Sequence, residues 1–166
     1  ATRPFVASHS NCRALCPSPR NLTDEMIRAI GERGGVVGIT LAPGFLSGSY
    51  LERERPISEA FFQAIAAGTQ TVEEAGRESS AAATQIPRPP LDLIADHVLR
   101  AINVGGEDAV GLGGDLDGVD VLPLGLDGVD GYPRIAELLA KAGLTEKQVQ
   151  KVCYGNLARV FRETVA

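Results

Sequence analysis

The stretch TDEMIRAIGERGGVVGITL, residues 23–41, decides the fold class. Thr23 is a helix N-cap residue, and Asp24 and Glu25 follow where the helix dipole favours negative charge. Met26, Ile27 and Ile30 recur at helical spacing, and Gly34-Gly35 stops the helix. Val36–Leu41 is then a β-branched run of strand length, apolar on both faces. Upstream, Phe5–Ser8 is a short apolar segment ending at His9, and it reads as a buried strand. Ser10–Asn21, with Pro17, Ser18 and Pro19, reads as a loop. The order is strand, loop, helix, strand.

The same pattern returns downstream. Leu91–Asn103 carries Leu93, Ile94, Val98, Ala101 and Ile102 on one helical face, and Gly105-Gly106 ends it. Ala109–Leu112 reads as a third buried strand. Tyr132–Ala142 reads as a helix closed by Gly143. Thr145 and Gln148 form a capping box for another, and Asn156 is expected to cap a last helix, Leu157–Val165. Helices alternating with continuously apolar strands predict an α/β class with parallel βα units. A closed eight-stranded barrel takes roughly 250 residues. The 166 residues therefore fit either a small open α/β domain or part of a barrel. Residues 48–90 break the pattern with polar clusters, an Ala/Ser/Thr run and Pro87-Arg88-Pro89-Pro90. They read as a lid-like insertion, or equally a passive solvated one, holding one helix, Ser58–Ala67, on a single partial-barrel domain spanning 1–166.

Composition narrows the function classes. Apolar residues make up 44% and charged residues 22%, with a net charge of -5. No basic footprint for nucleic acid is present, and no segment is long and apolar enough for a membrane span. Cys12, Cys16 and Cys153 make no disulfide framework or thiolate zinc site. They read as part-buried thiols of a reducing compartment, so a cytoplasmic location is expected. The segment Ala1–Val6 has no long apolar region and no Met, and reads as a cut or processed end.

Three polar groups follow the three strands, where barrel enzymes place their chemistry. His9, just past the first strand, suits a metal ligand or general base, and equally a structural histidine bonding loop backbone. Arg20 offers a planar fork for a carboxylate, though the residue type also fits an ion pair with Asp24 or Glu25. In Gly113-Gly114-Asp115-Leu116-Asp117-Gly118, the glycines admit close backbone approach, and Asp115 suits a substrate ammonium or proton transfer. A plain tight turn accounts for the same residues. The EF-hand pattern lacks its terminal Glu, and the glycines have no dinucleotide or P-loop spacing. His97 sits within a helix among Ile94 and Val98 and reads as a packed histidine.

Taken in order, Ser8-His9-Ser10-Asn11, Pro19-Arg20-Asn21-Leu22-Thr23-Asp24, Gly34–Gly38, Asp96-His97-Val98, Gly111–Gly118 and Gly155-Asn156-Leu157-Ala158-Arg159-Val160 resemble the membrane (renal-type) dipeptidase family, the M19 metallopeptidases. The resemblance covers nearly the whole chain. It implies the C-terminal half of a (β/α)8 barrel and a zinc-dependent dipeptidase with two zinc ions in the complete enzyme. His9 is then a zinc ligand. Arg20 grips the terminal carboxylate of the dipeptide substrate, Asp115 contacts its free amine and takes part in protonation, and Phe45 lies beside the substrate. No ligand role passes to His97. The family's N-terminal half supplies a His-x-Asp pair, a bridging Glu and a further His, none of which occurs here. A fragment inactive alone is therefore expected, its open sheet edges covered by the missing N-terminal half or by a second copy in a homo-oligomer. Two rival classes stand beside this one. One is a non-catalytic α/β module. The other is a different amidohydrolase acting on a lactone or cyclic amide, in which Arg20 has no carboxylate to bind.

Overall fold

Five consecutive buried residues, Val36–Thr40, form the central strand β2 of the computed structural model, which describes residues 3–165. A strand buried on both faces needs apolar side chains at every position, which is why this run does not alternate. β1 (Val6–Ala7) and β3 (Val110–Gly114) flank it, both parallel to it, in the order β1-β2-β3. The three expected strands are thus parallel neighbours, with shifted ends. β1 is shorter than Phe5–Ser8 because Ser8 and His9 already turn, and β3 runs two residues further than Leu112.

Helices α1 (Asp24–Glu32) and α5 (Leu93–Gly105) pack together on this sheet. Ile27, Ile39, Ile94, Val98 and Val110 meet in the core, each essentially solvent-free. Side chains of this type contribute about 1.5–3 kcal/mol each when fully buried. Arg100 of α5 pairs with Asp24 of α1. The chain closes with α6 (Tyr132–Lys141), α7 (Glu146–Gln150) and α8 (Asn156–Val165). Thr145 and Gln148 form the expected capping box. Asn156 does not cap a helix. A π-turn over Lys151–Gly155 runs directly into it, its backbone is already helical, and its buried amide donates to the carbonyls of Glu107 and Val110. It ties α8 to the entry of β3.

The insertion after β2 holds two helices where one was expected. After the short α2 (Pro43–Leu46), α3 spans Gly48–Ala67 and α4 spans Val72–Ala83. The twenty-residue α3 carries Pro56 inside it and buries only Tyr50 fully, so it has no long apolar stripe to mark it. Gly68 in the left-handed region ends α3, and a Thr71–Glu74 capping box starts α4. The pair forms an antiparallel-type hairpin packed on itself and on α2.

The sheet curls strongly at its C-terminal end. A Cβ on either Gly38 or Gly113 would overlap the carbonyl oxygen of Ser8. Although β1 and β3 are the two outer strands, the chain leaving β1 crosses over Gly38 and reaches Gly113. That brings the segments carrying His9 and Asp115 to one end of the fold.

Candidate active site

The loop after β1 is held by side chains acting as extra strand partners. Asn11 accepts from the Thr40 amide at 2.9 Å and donates to its carbonyl at 3.2 Å. Thr40 in turn donates through its hydroxyl to the Gly114 carbonyl at 3.3 Å, next to Asp115. At the other end of the loop, Asn21 accepts from the Asn11 amide and donates to the carbonyls of Cys16 and Phe45. His97 is buried on α5. Its Nδ1 accepts from the Cys12 amide at 3.1 Å, and its Nε2 lies 3.1 Å from the Leu46 carbonyl. A carbonyl only accepts, so Nε2 carries the proton and the ring is neutral. Burial pushes its pKa below the usual histidine value. Asn11, Asn21, Thr40 and His97 thus fix the loop; sequence reasoning gave a packing role to His97 alone and named Asn11 and Asn21 only as members of motifs. Burial also lifts the Cys12 thiol to about 12 and raises Cys16, which keeps both protonated.

His9 and Arg20 meet on this frame. An Arg20 Nη2 donates to His9 Nε2 at 2.9 Å, and His9 Nδ1 lies 2.8 Å from the Ser8 hydroxyl. Since Arg only donates, Nε2 is the acceptor and Nδ1 holds the proton. The guanidinium also stands over the Phe45 ring, 5.3 Å from its centroid. Asp24 and Glu25 are not its partners, Asp24 being engaged by Arg100. Asp115 follows β3 in the left-handed region at φ 65°, directly after Gly114 at φ 61°. A Cβ on Gly118 would overlap the Asp115 carboxylate, so that glycine clears its seat. The strained turn costs on the order of 1–2 kcal/mol at a residue with a Cβ.

Arg20, Phe45 and Asp115 line one cavity of about 180 Å³, together with Tyr50, Glu54 and Asp120. His9 borders it only through Arg20. Burial and then the charges of Glu54 and Asp120 lift the Tyr50 hydroxyl to about 12, and burial raises the Glu54 carboxyl. Tyr50 and Glu54 come from the hairpin helix α3, and no motif marked them. Among the described residues no three His, Cys, Asp or Glu side chains cluster as a metal site. A tetrahedral centre needs three or four donors, and His9 offers one nitrogen. The residues of this chain therefore do not fit a metal centre by themselves. No helix among the described residues is long and apolar enough to cross a membrane.

Comparison with known proteins bears on the family and the fold. The chain is 36% identical over 162 residues to an uncharacterized Klebsiella pneumoniae protein from the pqqA 5' region, spanning 98% of this chain and 47% of that one. It is 28% identical over 160 residues to human dipeptidase 3, spanning 96% of this chain and 25% of the relative. A Rhodobacter sphaeroides metallo peptidase, solved with a phosphinate mimic of the dipeptide L-Ala-D-Ala, superposes with a TM-score of 0.71 at 29% identity, over 99% of this chain and 37% of that one. The chain thus spans half or less of the relatives it matches, and its parallel sheet is part of a (β/α)8 barrel. The sequence profile of the membrane dipeptidases matches residues 1–166. The chain belongs to the membrane dipeptidase family, peptidase family M19.

Proposed function

We propose that this chain is the substrate-reading part of a zinc-dependent dipeptidase. One observation carries the reading: a fork-shaped cation, Arg20, and a carboxylate, Asp115, line the same small cavity with Phe45 between strand ends. Arg20 binds the C-terminal carboxylate of a dipeptide through paired N–H donors. Asp115 binds the free amine and, as the leaving amine forms, holds or supplies its proton. The Phe45 ring gives the guanidinium and the substrate an apolar floor. The two charged ends then set substrate length. The hairpin of α3 and α4, within the insertion at about 48–90, serves as a lid over this cavity.

A metal centre belongs to this reading through the family. His9 supplies one ligand, and the two zinc ions of the complete enzyme take their remaining ligands from outside these 166 residues, from the N-terminal half or a second copy. A homo-oligomer would cover the outer edges of β1 and β3. The three free thiols suit a reducing, cytoplasmic setting. The isolated 166-residue chain is expected not to hydrolyse dipeptides.

The test compares a free dipeptide with its C-terminal amide and its N-acetyl form on the metal-loaded full-length enzyme. Loss of either charge should lower kcat/KM roughly tenfold to a hundredfold. Equal hydrolysis of all three would remove Arg20 and Asp115 from substrate recognition and shift the reading to a lactone or cyclic-amide hydrolase.

A further inference from the structure

Beyond Arg20 and Asp115, the wall contributed by the hairpin has its own chemistry. Tyr50 lines the cavity and is only 3% exposed, its hydroxyl lies within reach of the charges of Glu54 and Asp120, and it makes no side-chain hydrogen bond among the described residues. A tyrosine whose ring is buried while its hydroxyl opens on a cavity offers that oxygen to whatever fills the cavity. Glu54, one helical turn further along α3, is half-buried on the same wall. Its carboxylate seats against Gly44 of α2, where a Cβ would overlap it. It forms no hydrogen bond and no ion pair among the described residues, nor does the Asp120 carboxylate at the rim. A carboxylate drawn out of water without a cation is costly unless a ligand brings one.

These groups ask for one kind of ligand. An ammonium or guanidinium has only donors, and here two carboxylates and a phenol oxygen accept. Arg20, the one cation among the residues lining the cavity, stands at His9 and over Phe45 and is taken by the terminal carboxylate on the dipeptidase reading, so it does not pair with Glu54 or Asp120. We propose that Tyr50 and Glu54, with Asp120 at the rim, form a subsite for a cationic side chain of the substrate, so that the enzyme prefers a dipeptide carrying lysine or arginine. The inference rests on the dipeptidase reading and adds the substrate class. Glu54 ion-pairs with the side-chain cation, the Tyr50 oxygen accepts a second N–H, and the Gly44 notch holds the carboxylate in place.

The test measures kcat/KM of the metal-loaded full-length enzyme on Ala-Lys against Ala-norleucine and on Lys-Ala against norleucine-Ala. Each pair differs only in the terminal ammonium. Within one pair, lysine should be favoured roughly tenfold or more, as expected for a charge-assisted bond in a sheltered site. Glu54→Gln should bring that ratio close to one, and Tyr50→Phe should lower it part of the way. Gly44→Ala, which displaces the carboxylate without removing it, should also lower it. A merely structural role for Glu54 would depress both members of a pair and leave their ratio intact. Equal wild-type rates in both pairs, or a lysine preference that survives Glu54→Gln, overturns the subsite alone. If none of the four peptides is hydrolysed, the dipeptidase reading falls and the subsite with it.

Discussion

Arg20 donates to the Nε2 of His9 across 2.9 Å, which commits the imidazole to the tautomer protonated on Nδ1. The lone pair a metal ion would take at Nε2 is therefore covered by the guanidinium. A metal that ligates His9 through Nε2 must displace Arg20, and the freed fork is then available to a carboxylate. Arg20→Ala in the full-length enzyme should raise KM for a free dipeptide roughly tenfold to a hundredfold. The C-terminal amide of the same peptide should change far less. Arg20→Lys should recover only part of the loss, because an ammonium cannot present two parallel donors. Equal losses on the acid and the amide would count against carboxylate recognition.

On the proposed function, Asp115 sets stability against activity. It is the single described residue other than glycine at positive φ. Asp115→Gly relieves the left-handed strain, and the protein should become more stable by up to about 1 kcal/mol. For a domain of this size that is a rise in Tm of about 2–4 °C. The same variant should lose turnover in the full-length enzyme. Thermal unfolding and steady-state kinetics on one preparation decide the point. A lower Tm would mean that the carboxylate stabilises the turn more than its backbone strains it.

Histidine 97 makes the fold sensitive to acid. His97 is buried and neutral, bonded on both nitrogens, with its pKa held below the ordinary value by burial. The unfolded chain takes up the proton near pH 6.5, whereas the folded chain resists it until lower pH. The unfolded state therefore binds more protons in this window. The contribution is complete above about pH 6.5 and is lost as pH falls toward and through the folded pKa. Denaturation midpoints between pH 7.5 and 5.5 should fall more steeply for the wild type than for His97→Asn. His97→Ala should cost about 2–4 kcal/mol at pH 7.5, since the Cys12 amide and Leu46 carbonyl are left unpaired.

The curled end of the sheet depends on two missing side chains. Gly113→Ala puts a Cβ into the Ser8 carbonyl, a backbone atom that cannot rotate away. It should cost about 1–3 kcal/mol and push the His9 segment outward. Gly76→Ala is the matched control. Gly76 lies within α4 with open space around it, and alanine there should stabilise by about 0.5–1 kcal/mol. Comparable midpoints for the two variants would show that β1 does not press on Gly113.

The β2 region was legible from local sequence because its residues are buried on both faces. A run such as Val36–Leu41 has few alternatives, and Thr23 and Gly34-Gly35 punctuate the helix before it. Helix α4 carried a signal that went unused. Its Thr71–Glu74 capping box matches the Thr145–Gln148 pair that marks α7. Helix α3 offered less, since Pro56 interrupts a mostly exposed surface. The polar frame around the loop was hidden for a different reason. Asn11 bonds Thr40 across 29 positions and Cys12 bonds His97 across 85, so no window of sequence contains both partners. Asp115 stood out because it directly follows a strand end, and Arg20 because a Pro-stiffened loop after the first strand presents it. Tyr50 and Glu54 reach the same cavity only through the path of α3, and that path had no local marker.

The α3–α4 hairpin packs on itself and on α2, while the sheet is buried by α1 and α5. Two such units share little core and need not melt together, since weakly coupled elements open at their own free energies. Hydrogen exchange should accordingly wash out the amides of α3 before those of β2. On warming, a hairpin that carries Tyr50 and Glu54 would let go while the strands still hold His9 and Asp115. Discrimination among substrates would then fade at a temperature where the protein still looks folded.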